Sequence, residues 1–155
     1  MRTTTGEDLS SSDARDAILS CHDELRGLAN ETIHCAEHAT KSDRDFEPLC
    51  AHARELYEAF EEYMDFEERI LATALSDVIG CGSMLHAQIE AGHRRQRATL
   101  ASAMSALGPE AQPRSRVIES VRAVADALLM DLRSEEDCLL NAEIDAIAVE
   151  DGEGG

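Results

Sequence analysis

The sequence is poor in aromatic residues, prolines and cationic side chains. It contains no tryptophan and only 3% aromatic residues, so we expect a core of Leu, Ala, Ile, Val and Met. Only three prolines occur, and none interrupts a long stretch of periodic apolar residues. Lys and Arg together number 14 against 32 acidic residues, which gives a net charge of −18. This excess of negative charge argues against a nucleic-acid-binding surface and against a polybasic membrane anchor.

Long apolar runs and cysteine pairs are also missing. No run approaches the roughly 18 residues of a membrane-spanning helix, and residues 1–13 lack the apolar stretch of a signal peptide. The five cysteines include no C-x-x-C pair, and an odd number favours free thiols in a reducing compartment. We therefore expect a cytoplasmic protein. Its 155 residues and 43% apolar content are typical of one folded domain.

Apolar residues recur at helical spacing in four long stretches. These stretches predict helices over residues 12–40, 46–79, 83–107 and 114–141, joined by short loops, with Asp45 capping the second helix. We expect an all-α fold, an antiparallel up-down-up-down four-helix bundle spanning residues 12–142. A disordered head, 1–11, precedes it and an acidic flexible tail, 143–155, follows it. No β-hairpin signal and no internal repeat are evident.

Polar residues interrupt the apolar seams of all four predicted helices. In an antiparallel pair with a short loop, residues at one level have a nearly constant sum of residue numbers. By this rule His22 faces the region of Tyr63, Glu67 faces that of His93, and His93 faces a position one turn from Asp131. The rule therefore gathers six side chains within one or two turns of a common layer: His22, Tyr63, Glu67, His93, Asp131 and Glu135.

Buried carboxylates need a partner, because an unpaired one costs several kcal/mol. Almost no cationic side chain lies in the seams, so a bound metal ion would compensate the charge. Mixed imidazole and carboxylate ligands suit iron, manganese or zinc. The alternative is a wet cleft or bundle end in which water solvates the same carboxylates.

Four segments resemble the motifs of one family, the hemerythrin-like (HHE cation-binding) domains. The chain has F-E-E-R-I-L-A-T-A-L at 66–75 and A-G-H-R-R-Q-R at 91–97, similar to the family's second and third helices. It has C-H-D-E-L-R at 21–26 and D-L-R-S-E-E-D-C-L-L at 131–140, similar to the first and fourth. The resemblance covers residues 15–142 and implies a four-helix bundle that holds non-heme di-iron.

The resemblance also implies ligands. His22, Glu67, His93 and Glu135 fall on its ligand positions, whereas Tyr63 and Asp131 stand where the family has histidines. Asp131 would then be an oxygen ligand, and Tyr63 a phenolate ligand or a hydrogen-bonding neighbour. The implied cofactor is one or two iron ions, with zinc or manganese as alternatives. The implied role is binding or sensing of O2, NO or redox state, or iron handling. A weak oxidase or peroxidase built on the same centre is a further alternative.

Other interpretations stay open at this point. His34, His38, His52 and Cys50 gather near the first predicted loop, where they form a second metal cluster or only a polar helix end. Two E-x-x-H spacings match ferritin-like bundles but fall at different levels. Cys81 and Cys138 are either redox-responsive neighbours or small apolar fillers. The loss of two expected histidines also fits a metal-free helical module that binds a protein partner.

Overall fold

The chain folds into four helices in a computed structural model. It describes residues 11–74, 81–108 and 112–152, with side chains over 13–71, 87–108 and 112–138. The helices are α1 (Ser11–Ala39), α2 (Phe46–Ala74), α3 (Cys81–Ala106) and α4 (Arg114–Gly152), and the described residues contain no strand. The prediction of an all-α protein with four helices is confirmed. No helix in the described part of the chain is long and apolar enough to cross a bilayer.

The helix boundaries differ from those predicted at three places. The predicted loop between α1 and α2 contains a 3-10 turn, Asp43–Asp45. Its cap is Ser42, whose hydroxyl accepts a hydrogen bond from the Arg44 backbone N–H at 3.4 Å. The third helix begins at Cys81 rather than Ser83, because the intervening Gly82 is tolerated within a helical turn. The predicted end of the second helix and the turn at Gly80 lie outside the described residues.

The fourth helix is longer than predicted. It continues to Gly152, beyond the predicted helix end at Asn141 and into the segment predicted to be an acidic tail. The predicted end is wrong because the segment after Asn141 is rich in helix-forming Ala and Glu and contains no proline. Acidic composition by itself does not stop a helix. At the other end, the Pro113 carbonyl accepts the first backbone hydrogen bonds of α4, from Arg116 and Val117 at 2.9 and 3.2 Å.

One apolar core lies between the helices. As expected, aliphatic side chains supply most of it, although the largest fully buried side chains are the aromatic residues Tyr57 and Phe60. Helix α1 packs against α2 and α4, and α3 packs against the same two helices. Among the residues whose side chains are described, four polar ones are buried in this apolar setting: His22, Thr32, Glu67 and His93. Thr32 is satisfied by its own helix, because its hydroxyl donates to the Leu28 carbonyl at 2.8 Å.

Candidate metal centre

Three of the predicted site residues meet in the core. Ligand atoms of His22, Glu67 and Glu135 all lie within 4.8 Å of one another, so that α1, α2 and α4 each contribute one. His22 Nε2 lies 3.8 Å from Glu135 Oε1. Two ligands that share one ion at about 2.1 Å each lie roughly 3 to 4 Å apart, so this spacing suits a common metal ion. Within the described residues, this is the one group of three or more such ligands at that spacing.

Glu67 is the least compensated member of the group. Glu67 is 0% exposed, and neither oxygen of its carboxylate has a hydrogen-bond partner among the described residues. His93 from α3 faces it, with Nε2 at 3.5 Å from Glu67 Oε2, and this Nε2 is also buried without a hydrogen bond. A carboxylate and an imidazole nitrogen are thus aimed at each other across a distance too long for a hydrogen bond. Two buried atoms of this kind, a carboxylate oxygen and an imidazole nitrogen without hydrogen bonds, are suited to bind a cation.

Tyr63 covers one side of the group. Its hydroxyl contacts His22 Nε2 and lies 3.1 Å from Glu135 Oε1, so its single proton can be donated to either atom. The two rings meet edge to face with centroids 5.1 Å apart. Burial, and next the nearby Glu67 carboxylate, raise the pKa of Tyr63 far above its usual value. In the metal-free protein, the hydroxyl is therefore a neutral donor.

Two glutamates that the sequence did not single out bind the other ring nitrogens. His22 Nδ1 is 2.9 Å from Glu136 Oε1, and His93 Nδ1 is 3.1 Å from Glu68 Oε1. The only signal for them was the doublet: Glu68 follows Glu67 directly, and Glu136 follows Glu135. Neighbouring positions on a helix are about 100° apart, so one glutamate faces the core and the next reaches the outer edge of the histidine.

Arginines keep these outer glutamates charged. The hydrogen bond from Arg97 lowers the pKa of Glu68, against the opposing effect of burial. Burial raises the pKa of Glu136, but hydrogen bonds from Arg26 and His22 lower it by more.

The pKa of the His93 imidazole changes in the opposite direction. Burial lowers it, and the Glu67 and Glu68 carboxylates raise it by more, so that the pKa lies above its usual value. The two carboxylates thus favour the protonated form of His93 over the neutral form.

Asp131 is not part of the group. It is exposed on α4, where its Oδ2 accepts a hydrogen bond from the Gln96 amide at 2.9 Å. The adjacent Leu132 occupies the buried position instead, at 1% exposure. Positions three and four residues after the buried Leu128 lie on nearly the same helical face, and burying the leucine leaves the carboxylate in water. The predicted place of Asp131 in the buried seam is wrong.

The second predicted cluster comes together only in part. His34 and His38 are exposed on α1, with their Nε2 atoms 3.1 Å apart. Cys50 and His52 on α2 do not join them in a ligand group within the described residues. Of the proposed cysteine pair, Cys138 is exposed, and the side chain of Cys81 lies outside the described residues.

Comparison of the chain with protein-family models, with curated proteins and with solved structures finds no match.

Proposed function

We propose that this protein is a hemerythrin-like bundle that binds non-heme iron through His22, Glu67 and Glu135, with His93 beside Glu67. Its role would be to bind or sense O2, NO or redox state, or to handle iron. The observation that carries this proposal is the Glu67 carboxylate, which is fully buried, has no hydrogen bond to any described residue and faces two imidazoles. A carboxylate in that position needs a cation, and mixed imidazole and carboxylate donors suit iron, manganese and zinc.

The proposal includes an antiparallel up-down-up-down order of helices, which two sets of contacts support. Between α2 and α3, Arg54 near the start of α2 reaches the Leu107 carbonyl, while Glu68 further along binds Arg97. Residue numbers thus rise on one helix as they fall on the other. Between α1 and α4, the pairs Arg26–Glu136 and Glu37–Arg122 follow the same rule.

The residues around the group define what it can do. Bound iron would supply an open coordination position for a small diatomic ligand and a one-electron redox couple. His22, Glu67 and Glu135 would hold the ion. His93 would either neutralise the negative charge of Glu67 or add a fourth ligand beside it. The surrounding core excludes water. The Tyr63 hydroxyl keeps a proton next to His22 and Glu135, where it can be donated to a bound ligand.

A second candidate is a metal-free helical module that binds a protein partner. The observation in its favour is that the polar residues also pair with one another, since His93 faces Glu67 and Tyr63 contacts both His22 and Glu135. A protonated His93 would then provide the charge that Glu67 requires.

Metal analysis separates the two candidates. Protein purified from iron-supplemented cells should carry close to one or two iron ions per chain, and Glu67→Ala or His93→Ala should remove most of it. His38→Ala, which alters an exposed histidine away from the group, is the matched control and should leave the content unchanged. Only traces of metal in the wild type, unaffected by Glu67→Ala, would favour the metal-free module.

Tyr63→Phe tests the part played by the hydroxyl. We expect the metal-free variant to be less stable by about 1 kcal/mol, because the hydrogen bonds to His22 and Glu135 are lost. Iron binding and the visible spectrum should persist, since the phenol is a neighbour and not a ligand. Denaturant unfolding and absorption spectroscopy measure both effects. A phenolate-to-iron absorption band that disappears in the variant would show instead that Tyr63 binds the metal.

A further inference from the structure

The two core histidines are held by the same arrangement in two places. His22 on α1 binds the second glutamate of a doublet on α4, and His93 on α3 binds the second glutamate of a doublet on α2. An arginine follows each histidine by four residues and binds that same glutamate. The pattern H-x-x-x-R followed by E-E thus occurs twice along the chain, a short internal repeat that contrasts with the expectation of none. We call the two arrangements Arg26–Glu136–His22 and Arg97–Glu68–His93 the clamps.

The arginine in each clamp neutralises and orients the outer glutamate. Arg97 donates to both oxygens of Glu68, from Nη1 at 2.8 Å and from Nη2 at 3.1 Å, which is a forked ion pair with little rotational freedom. Arg26 donates from Nη2 to Glu136 Oε1. The outer glutamates are therefore fixed, charged acceptors rather than free surface carboxylates.

A fixed carboxylate determines which ring nitrogen carries a proton. A carboxylate only accepts hydrogen bonds, so Nδ1 of each histidine must be the protonated nitrogen that donates to it. In a neutral ring, Nε2 is then left with a lone pair. Each Nε2 faces the inner glutamate of the same doublet: His22 lies 3.8 Å from Glu135, and His93 lies 3.5 Å from Glu67. In the metal-free protein, the His22 lone pair also contacts the Tyr63 hydroxyl.

Charge is divided in the same way in both clamps. Each outer glutamate is paired with an arginine, whereas the ion pairs of the inner glutamates within the described residues are with the two histidines. With neutral histidines, the inner region therefore carries two uncompensated negative charges. Two such charges match one divalent cation. His22 Nε2 belongs to the ligand group that would hold it, and His93 Nε2 faces that group's Glu67.

We infer that Glu136 with Arg26, and Glu68 with Arg97, are positioning residues that hold His22 and His93 with Nε2 turned toward the inner glutamates, ready to bind a metal ion. This inference rests on the proposed function, because it concerns how the same group is prepared for its ligand. Hydrogen-bonded carboxylates behind ligating histidines fix the ring and increase its basicity, and their loss typically weakens metal binding about 10- to 100-fold.

A purely structural role is the competing explanation, since the clamps also join α1 to α4 and α2 to α3. The chain offers a matched control for it. Glu37 on α1 pairs with Arg122 on α4 at 3.6 Å, which is another glutamate–arginine pair between the helices that the His22 clamp joins, but about four turns along α1 from His22. If the clamps only join helices, substitution of Glu37 and of Glu136 should have similar consequences.

The test compares Glu136→Ala, Glu68→Ala and Glu37→Ala in the full-length protein. The first measurement is anaerobic titration with Fe²⁺. We expect binding to weaken by about 10- to 100-fold in the first two variants and by less than about twofold in Glu37→Ala. Glu136→Gln keeps an acceptor oxygen without the charge and should recover part of the loss. Because this variant changes the side chain less, it also serves if Glu136→Ala fails to fold.

The second measurement needs no metal. Nitrogen-15 NMR of the imidazole rings, in alkaline buffer where the rings are neutral, reports which nitrogen carries the proton. We expect protonated Nδ1 at His22 and His93, a change at His22 alone in Glu136→Ala and Glu136→Gln, and a change at His93 alone in Glu68→Ala.

The two measurements separate failure of the inference from failure of the proposed function. Wild-type protein that binds no Fe²⁺ would refute the proposed function. The nitrogen that carries the ring proton in the NMR measurement would still show whether the clamps orient the histidines. Fe²⁺ binding that is unchanged by Glu136→Ala and Glu68→Ala, or protons found on Nε2 in the wild type, would overturn the inference about the clamps.

Discussion

Substitution of Glu67 by methionine is expected to abolish iron binding and at the same time to stabilise the metal-free protein. Methionine has a similar length and no polar atom that needs a partner. We expect the free energy of unfolding of the metal-free variant to rise by about 1–3 kcal/mol, the cost of a buried group without hydrogen bonds. Iron at concentrations that saturate the wild type should leave the free energy of unfolding of the variant unchanged.

The opposite signs follow from the position of Glu67. The carboxylate is 0% exposed, and neither oxygen has a hydrogen bond in the described part of the structure. It therefore opposes folding unless a cation is present, and replacement by an apolar side chain of similar volume is often neutral or stabilising. His93 keeps its contact with Glu68 in the variant, at 3.1 Å, and so would not be left as an unpaired charge.

Denaturant unfolding with and without Fe²⁺ measures both effects. Glu62→Met is the matched control, because Glu62 lies on the same helix and is exposed. Its stability should change by less than about 0.5 kcal/mol, and its iron binding should be intact. A metal-free Glu67→Met protein that is markedly less stable than the wild type would show that the carboxylate stabilises the fold rather than a bound ion.

Bound metal is expected to produce the second large effect, on thermal stability. A ligand that binds only the folded state stabilises it by about 4.1 kcal/mol at a free concentration 1,000 times its Kd. For a chain of this size each kcal/mol raises Tm by roughly 2–4 °C, so saturating Fe²⁺ should raise Tm by about 8–16 °C.

The same experiment compares metals and variants. Zn²⁺ and Mn²⁺, tested in parallel, rank the ions that the imidazole and carboxylate group accepts. His22→Ala should lose most of the shift, whereas His34→Ala, in the exposed histidine pair, should retain it. If the rise in Tm is lost in His34→Ala and kept in His22→Ala, the metal binds at the exposed pair of His34 and His38. That result would contradict the proposed centre.

The buried polar positions were accessible from the sequence. His22, Glu67 and His93 each fall within an apolar seam of helical spacing, and all three are buried. The constant-sum rule placed His22 opposite Tyr63 and Glu67 opposite His93, and those contacts occur. Helical periodicity and predicted loop length are enough to predict these contacts, because long helices with short predicted connections keep a nearly constant sum of residue numbers at each level.

The roles of the residues next to those positions could not be predicted from the sequence in the same way. Asp131 and Leu132 lie on nearly the same helical face, and only the packing of α4 decides which is buried. The roles of Glu68 and Glu136 depend on where a histidine from another helix presents Nδ1, which no single-helix pattern encodes. The extension of α4 to Gly152 differs from the predicted tail, because an acidic composition is compatible with a helix as well as with a mobile segment.

Anomalous scattering at the iron edge, from a crystal of the iron-loaded protein, tests the central claim most directly. The account predicts an anomalous peak in the core, about 2.0–2.2 Å from His22 Nε2 and from carboxylate oxygens of Glu67 and Glu135. A crystal of protein exposed to saturating iron that shows no peak at this position, or a peak only at His34 and His38, would contradict it.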